Sequence, residues 1–240
     1  MQLTLSKDRK TTPIANANGT LPAVANAFGL TAGVTCPGMT GICGNVCYAS
    51  AIERYPTVKG LVGRNTTALM QATQQEMRTM LSDAVGQYVT DHQRRSPGTP
   101  MIFRIHWDGD FFSPEYAQAW RDVAIVHPHV AFWAYTRNPD AVPHLLGVPN
   151  LALYFSADRD NWDIAVSMRQ QYPTLRLAVM DESFAAARDL YAGEYGRPLG
   201  ACPEQTGQVP LIDSAGGACA KCRLCVHGKA DVAFRYGKEG

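Results

Sequence analysis

The 240 residues suffice for one large hydrophobic core, and 46% hydrophobic, 18% charged and 9% aromatic residues are the balance of a globular domain. A formal net charge of +1 removes any electrostatic case for nucleic acid or an anionic membrane as the main partner. No apolar run approaches the roughly 18 residues of a membrane span, and the start, Met1-Gln2-Leu3-Thr4-Leu5-Ser6-Lys7, lacks the basic-then-apolar order of a secretion signal, so a cytoplasmic protein is expected.

Residues 1–35 hold short apolar runs broken by Asn, Gly and Pro, a pattern of loop with one strand. A glycine-rich loop with Cys36, Cys43 and Cys47, spaced C-x6-C-x3-C, follows. From Asn65, Leu69, Met77, Met80, Leu81, Val85 and Tyr88 recur at three- and four-residue spacing, which predicts one long helix ending at Arg94-Arg95-Ser96-Pro97-Gly98. Beyond it strands and helices alternate. Strands are expected over 101–107, 130–136, 150–156 and 175–180. Helices are expected from Ser113-Pro114-Glu115, with an N-cap, a first-turn proline and an acid at the positive end, and over 139–146, 162–171 and 183–191. That repeat implies parallel strands joined by right-handed crossovers. The chain is short for a closed eight-fold barrel of about 250 residues. The expected fold is therefore α/β: a partial, open parallel β/α barrel with a cysteine-rich loop near the N-terminus and a cysteine-rich C-terminal segment. One domain covers 1–240, divided into an N-terminal segment (1–63), β/α repeats (64–195) and the C-terminal cysteine segment (196–240).

The remaining cysteines, Cys202, Cys219, Cys222 and Cys225, are spaced C-x16-C-x2-C-x2-C, and no cysteine separates Cys47 from Cys202. Thiols clustered in a reducing compartment point to metal ligation rather than disulfides. Three cysteines at equal short spacing match the run of bacterial ferredoxins better than the paired spacing of structural zinc, with zinc as the alternative. The early group has no His or acid between Cys36 and Cys47 to complete a zinc tetrahedron. A [4Fe-4S] cluster held by those three thiolates would leave one iron open to a small molecule. Chain order leaves two partitions open, because Cys202 could complete either group; the chain would carry one cluster or two.

Ligands gather at the carboxyl ends of parallel strands. Strand 101–107 runs into Asp108-Gly109-Asp110, and two-residue alternation puts Arg104, His106 and Asp108 on one face. His106, Asp108, Asp110 and Tyr135 are the candidate cofactor contacts. Plainer roles compete: a hydrogen-bonded core position for His106, turn chemistry for the aspartates and packing for Tyr135. Arg104 needs an acidic partner, and Asp108 is the expected one. Nucleotide-binding glycine loops and a serine nucleophile elbow are absent.

Two family resemblances follow from these motifs. Phe28-Gly29-Leu30 before Cys36-Pro37-Gly38, Cys43-x3-Cys47-Tyr48-Ala49, Arg104-Ile105-His106-x2-Gly109-Asp110-Phe111-Phe112-Ser113, Ala134-Tyr135-Thr136-Arg137 and Cys202-Pro203-Glu204 resemble the gene-product-eighty-eight family of phage proteins over roughly residues 28 to 226. That resemblance implies a phage-encoded protein of the host cytoplasm and assigns no reaction. The layout also resembles radical S-adenosylmethionine enzymes, which place three cysteines after the first strand of a partial barrel and often add a fully ligated C-terminal cluster. Their usual spacing is C-x3-C-x2-C with an aromatic just before the last cysteine; here Tyr48 follows Cys47. The resemblance implies an enzyme that binds S-adenosylmethionine at the open iron. The other readings are a non-catalytic iron-sulfur protein, carrying electrons or acting on a host partner, and a zinc-stapled scaffold. The catalytic residues and the substrate are not assigned.

Overall fold

The structure is a computed structural model that describes residues 2–14 and 19–236. Strand β1 (Ala27–Gly29) leads into the cysteine loop, which carries two short helices, α1 (Gly41–Asn45) and α2 (Tyr48–Ile52). Helices α3 (Pro56–Met70) and α4 (Gln74–Arg95) precede the repeats: β2 (Met101–Asp108), α5 (Pro114–Val126), β3 (Val130–Thr136), α6 (Val142–Leu145), β4 (Leu151–Ala157), α7 (Trp162–Gln171), β5 (Arg176–Asp181) and α8 (Phe184–Tyr195). The C-terminal segment adds β6 (Gly200–Ala201), β7 (Ile212–Asp213), β8 (Gly216–Gly217), α9 (Ala218–Cys222) and β9 (Val232–Arg235).

The main sheet has the order β1-β2-β3-β4-β5-β9-β6, and every pairing in it is parallel. Spatial order equals chain order through β5, as expected when every crossover winds the same way. The sheet is not closed: β1 and β6 are its two edges. Strand β9 inserts between β5 and β6, so the C-terminal segment belongs to the sheet as well as to the cysteines.

Side-chain alternation gives the sheet two unlike faces. Phe103, Ile105, Phe132, Ala134, Leu153, Phe155, Leu177 and Val179 pack into one continuous core with Leu81, Tyr88, Trp120, Val123 and Met168 from the helices. On the other face Ile102 and Trp133 meet Ala220 and Val226, while Tyr154, Ala178 and Val232 meet Leu224. Cys202, Cys219 and Cys225 pack against these two clusters. The cysteine segment thus takes the place of a second helical layer. Burial there stabilises by about 1.5–3 kcal/mol per Val- to Phe-sized side chain.

The expected single helix from Asn65 is two helices. Helix α3 ends at Met70, and Thr73 begins α4 with a capping box in which its side chain accepts from Glu76 N–H while Glu76 accepts from Thr73 N–H. The apolar spacing continues across the break because both helices bury one face on the same core. Helix α5 starts as its sequence predicts, with Ser113 Oγ accepting from Tyr116 N–H and Pro114 in the first turn.

Candidate metal centres

The early cysteine loop lies over the carboxyl ends of β2, β3 and β4, where parallel strands present their functional groups. Thr40 Oγ1 caps α1 by accepting from Cys43 N–H (2.9 Å) and donates to Asp158 Oδ2 beyond β4 (2.7 Å). Ile42 N–H donates to Asp160 Oδ2 (2.9 Å). Arg137, just after β3, donates to Asp158 Oδ2 (3.1 Å). Gly38 crosses the chain at this point, and a Cβ there would overlap the Arg137 carbonyl oxygen, so only glycine allows the approach. On the β2 side the Tyr48 hydroxyl, next to Cys47, donates to the Trp107 carbonyl. Gly109 holds a φ of 78°, and a Cβ there would sit 2.6 Å from Thr35 Oγ1. The loop is therefore fixed at several points.

Within the loop Cys36 feels the charge of both Cys43 and Cys47, and Cys43 that of Cys47. Burial, then Asp110, pushes the Cys36 thiol up to about 12; burial raises Cys43, against a pull from Arg137. At the other site Cys225 feels Cys202 and Cys222, and Cys219 feels Cys225. Burial pushes Cys219 up to about 12 and Cys225 up to about 11, with Arg104 pulling both down. The seven thiols form no disulfide. Cys202 lies with Cys225 against Tyr154, Ala178 and Val232, on the late cysteines' side of the sheet. Among the described residues no three His, Cys, Asp or Glu side chains converge tightly enough to hold a single metal ion.

The four polar candidates do not share one cavity. The backbone of His106 takes a φ of 61°, inside a register irregularity between β1 and β2. This bulge breaks the two-residue alternation, so His106 does not share a face with Arg104. Its ring packs among Phe28, Phe111 and Trp120 in the helical core, with Nε2 2.9 Å from the Tyr116 hydroxyl. Burial, then Arg104, pushes its pKa down to about 3. Asp110 accepts from Thr136 Oγ1 (2.7 Å), Arg137 N–H (2.8 Å) and Phe111 N–H (2.7 Å), the pattern of a clamp between strand ends. Tyr135 is on the opposite face, against Cys225 and Cys219 and beside Tyr154 and Phe234.

Asp108 differs from the other three. It is 3% exposed, and its polar neighbours are the Glu53 carboxyl and the Gly109 N–H. Burial raises its pKa, and Glu53 beside it raises it further. Glu53 itself accepts from Ala32 N–H (2.6 Å). Asp108 is not the partner of Arg104. That partner is Asp8, at 2.7 Å from Nη1, while Nη2 donates to the Tyr48 hydroxyl (3.1 Å). Sequence reasoning missed Asp8, Glu53 and Asp160, each remote in the chain from what it touches. Asp158 and Arg137 were visible only as polar strand ends.

Fold and sites together define an open parallel α/β protein with one three-cysteine loop over its strand ends and one four-cysteine segment across its bare face. Among the described residues no helix is long and apolar enough to cross a membrane. The model of the family described as gene product 88 matches residues 2–228, and the chain belongs to that family. The Gene 88 protein of Mycobacterium phage L5 is 38% identical over 246 residues, covering 99% of both chains. The Gene 88 protein of Mycobacterium phage D29 is 35% identical over 243 residues, covering 98% of both. No solved structure matches the chain significantly.

Proposed function

We propose that the protein is a phage-encoded iron-sulfur protein built as a partial β/α barrel. Cys36, Cys43 and Cys47 would hold an open-site [4Fe-4S] cluster, and Cys202, Cys219, Cys222 and Cys225 a fully ligated one. The observation that carries the reading is the placement of seven undisulfided thiols in two groups, three in the loop over the strand ends and the others in the segment that packs Cys202, Cys219 and Cys225 on the opposite sheet face. The donor sets suit iron-sulfur chemistry, being three and four thiols.

The open iron would offer one coordination position at the strand ends, and S-adenosylmethionine is the first ligand to test there. Asp108 is the candidate polar contact for that ligand, a buried carboxyl at the strand end that burial and Glu53 hold toward its neutral form. His106, Asp110 and Tyr135 are committed to contacts within the chain. The residues of the loop hold the site in place, with Thr40, Arg137, Asp158 and Asp160 fixing its backbone. A host protein or a small molecule would be the partner, in the host cytoplasm.

The test is anaerobic purification with iron, sulfide and zinc measured per chain and a visible absorption spectrum. About eight irons, two cubes of four, support the reading, and Cys43→Ser should then retain about four. Colourless protein with zinc refutes it and leaves a stapled scaffold. About four irons in the wild type refute the two-cluster form. With two clusters present, calorimetry with S-adenosylmethionine separates the enzyme-like reading from a plain electron carrier.

A further inference from the structure

Arg104 stands between the two cysteine groups. It pairs in register with Trp133, on the sheet face against which Cys219 and Cys225 pack, and its charge acts on Cys219, Cys225 and Tyr135. Nη2 reaches the hydroxyl of Tyr48, the residue after Cys47 in the other group. Asp8, from the N-terminal segment, holds Nη1 at 2.7 Å and also acts on Cys219, with the opposite sign. The Arg104 Nε–H is buried without a partner among the described residues. A guanidinium stays charged under all ordinary conditions, so this is a permanent cation near Cys219 and Cys225.

We propose that Arg104 is a positioning residue that sets the reduction potential of the C-terminal centre, with Asp8 as its counterweight. The inference rests on the iron-sulfur reading above. Reduction adds one electron from an external one-electron donor to the cluster, with no bond made or broken and no proton moved. The reduced cluster is more negative by one charge, and a nearby cation stabilises it more than the oxidised form. Asp8 disfavours the same step. Removing the cation must therefore lower the potential, and removing the anion must raise it.

The experiment is mediated redox titration, followed by electron paramagnetic resonance, in a Cys43→Ser background that retains only the C-terminal cluster. Arg104→Gln is expected to make reduction at least tenfold less favourable, a fall of about 59 mV for a one-electron couple. Arg104→Lys, which keeps the charge, should recover at least half of that shift. Asp8→Asn should move the potential upward. A merely structural role for the pair would not give opposite signs in two variants that break the same ion pair. Full iron with potentials unmoved, or moved in the same direction by Arg104→Gln and Asp8→Asn, overturns the inference alone. Wild-type protein without iron and sulfide refutes the cluster reading instead. Should Arg104→Gln fail to hold iron, the Asp8→Asn arm decides by itself: an upward shift supports the inference, and no shift refutes it.

Discussion

Asp158→Asn tests how the cysteine loop is held on the strand ends. Asp158 is fully buried and Arg137 is 12% exposed, and their atoms are 3.1 Å apart. The same carboxylate oxygen accepts from Thr40 in the loop, while the other accepts from Asp160 N–H (3.0 Å). Asparagine keeps the shape and can still accept from Asp160, but an amide NH2 then replaces the oxygen that accepts from Thr40 and Arg137, so the charge and that acceptor are both removed. Arg137 is then left without its anion; its Nε–H already lacks a partner among the described residues. Removing one partner of a buried pair costs about 3–5 kcal/mol. The Thr40 bond is part of the same network and is not added on top. For a chain of this length about 2–4 °C is lost per kcal/mol, so a fall on the order of 10 °C in melting temperature is expected. Urea denaturation of the metal-free, reduced protein measures the first quantity, and the labelling rate of the Cys43 thiol measures release of the loop. Asp160→Ala is the control, since it removes one exposed hydrogen bond worth about 1 kcal/mol. Stability within about 0.5 kcal/mol of the wild type, the usual scale of an ordinary surface substitution, together with unchanged Cys43 labelling, would refute the latch.

Gly38→Ala should push the loop off Arg137, costing about 1–3 kcal/mol as overpacking does, and lose the early centre's iron while keeping the late one's; unchanged iron content sinks the close-approach argument. His106 should stay neutral in the folded protein, and its ring signals in NMR should not titrate between pH 5 and 8. Because its folded pKa lies near 3, below the ordinary 6.5, its contribution is complete above 6.5 and is lost as pH falls toward 3. A titration midpoint near 6.5 would contradict the buried position. In the metal-free protein Cys36, Cys219 and Cys225 lie well above the ordinary 9, so their contribution is present below about pH 9 and is lost as pH rises through 11 to 12. Thermal melts at pH 8 and 10.5 should show the loss, and equal stability at both would show the thiols to be solvated. Cys225→Ser should destabilise the metal-free protein by about 1–3 kcal/mol, by leaving a hydroxyl in an apolar contact. Cys43→Ser should do so by much less, and a reversed order in urea would mean that the two groups play opposite roles.

The central strands were legible as apolar-rich runs of six to eight residues bounded by turn residues, as in Met101–Asp108 and Leu151–Ala157. The ends were not. Strands β6 and β9 are two and four residues long, too short to show a period, and β9 pairs with β5 only after some 50 intervening residues. The break between α3 and α4 was available as Thr73-x-x-Glu76, but a continuing apolar stripe outweighed it. The face assignment of His106 failed for a physical reason: alternation assumes extended backbone, and a single positive φ reverses it. Arg104 needed an acid, as its burial requires, yet the acid lies 96 residues away in the N-terminal segment. Composition reveals the demand for a counter-charge, and only the fold chooses which residue meets it.

The two cysteine groups sit in positions that demand different things of the chain. The early loop covers strand ends, where the sheet is complete without it and backbone latches alone hold it down. The late segment covers a sheet face carrying Trp133 and Tyr154, two large side chains that would otherwise meet water. That segment contains little regular structure of its own: one five-residue helix and a two-stranded hairpin. A layer so poor in regular structure gains from outside ties. Lys10 to Glu204 at 2.7 Å and the Gly217 N–H to the Thr12 carbonyl at 3.0 Å bind it to the N-terminal segment, and Tyr154 donates to the Ala230 carbonyl at 2.9 Å. Four thiols at its centre are the remaining place where a tie can form. A centre there would join Cys202, which follows β6, to Cys219, Cys222 and Cys225 beside α9, and so fasten the sheet edge to its own cover. The early group lacks a fourth thiol and has no layer to fasten. On the iron-sulfur reading proposed above, structural work would fall to the four-cysteine site and leave the three-cysteine site open to a ligand.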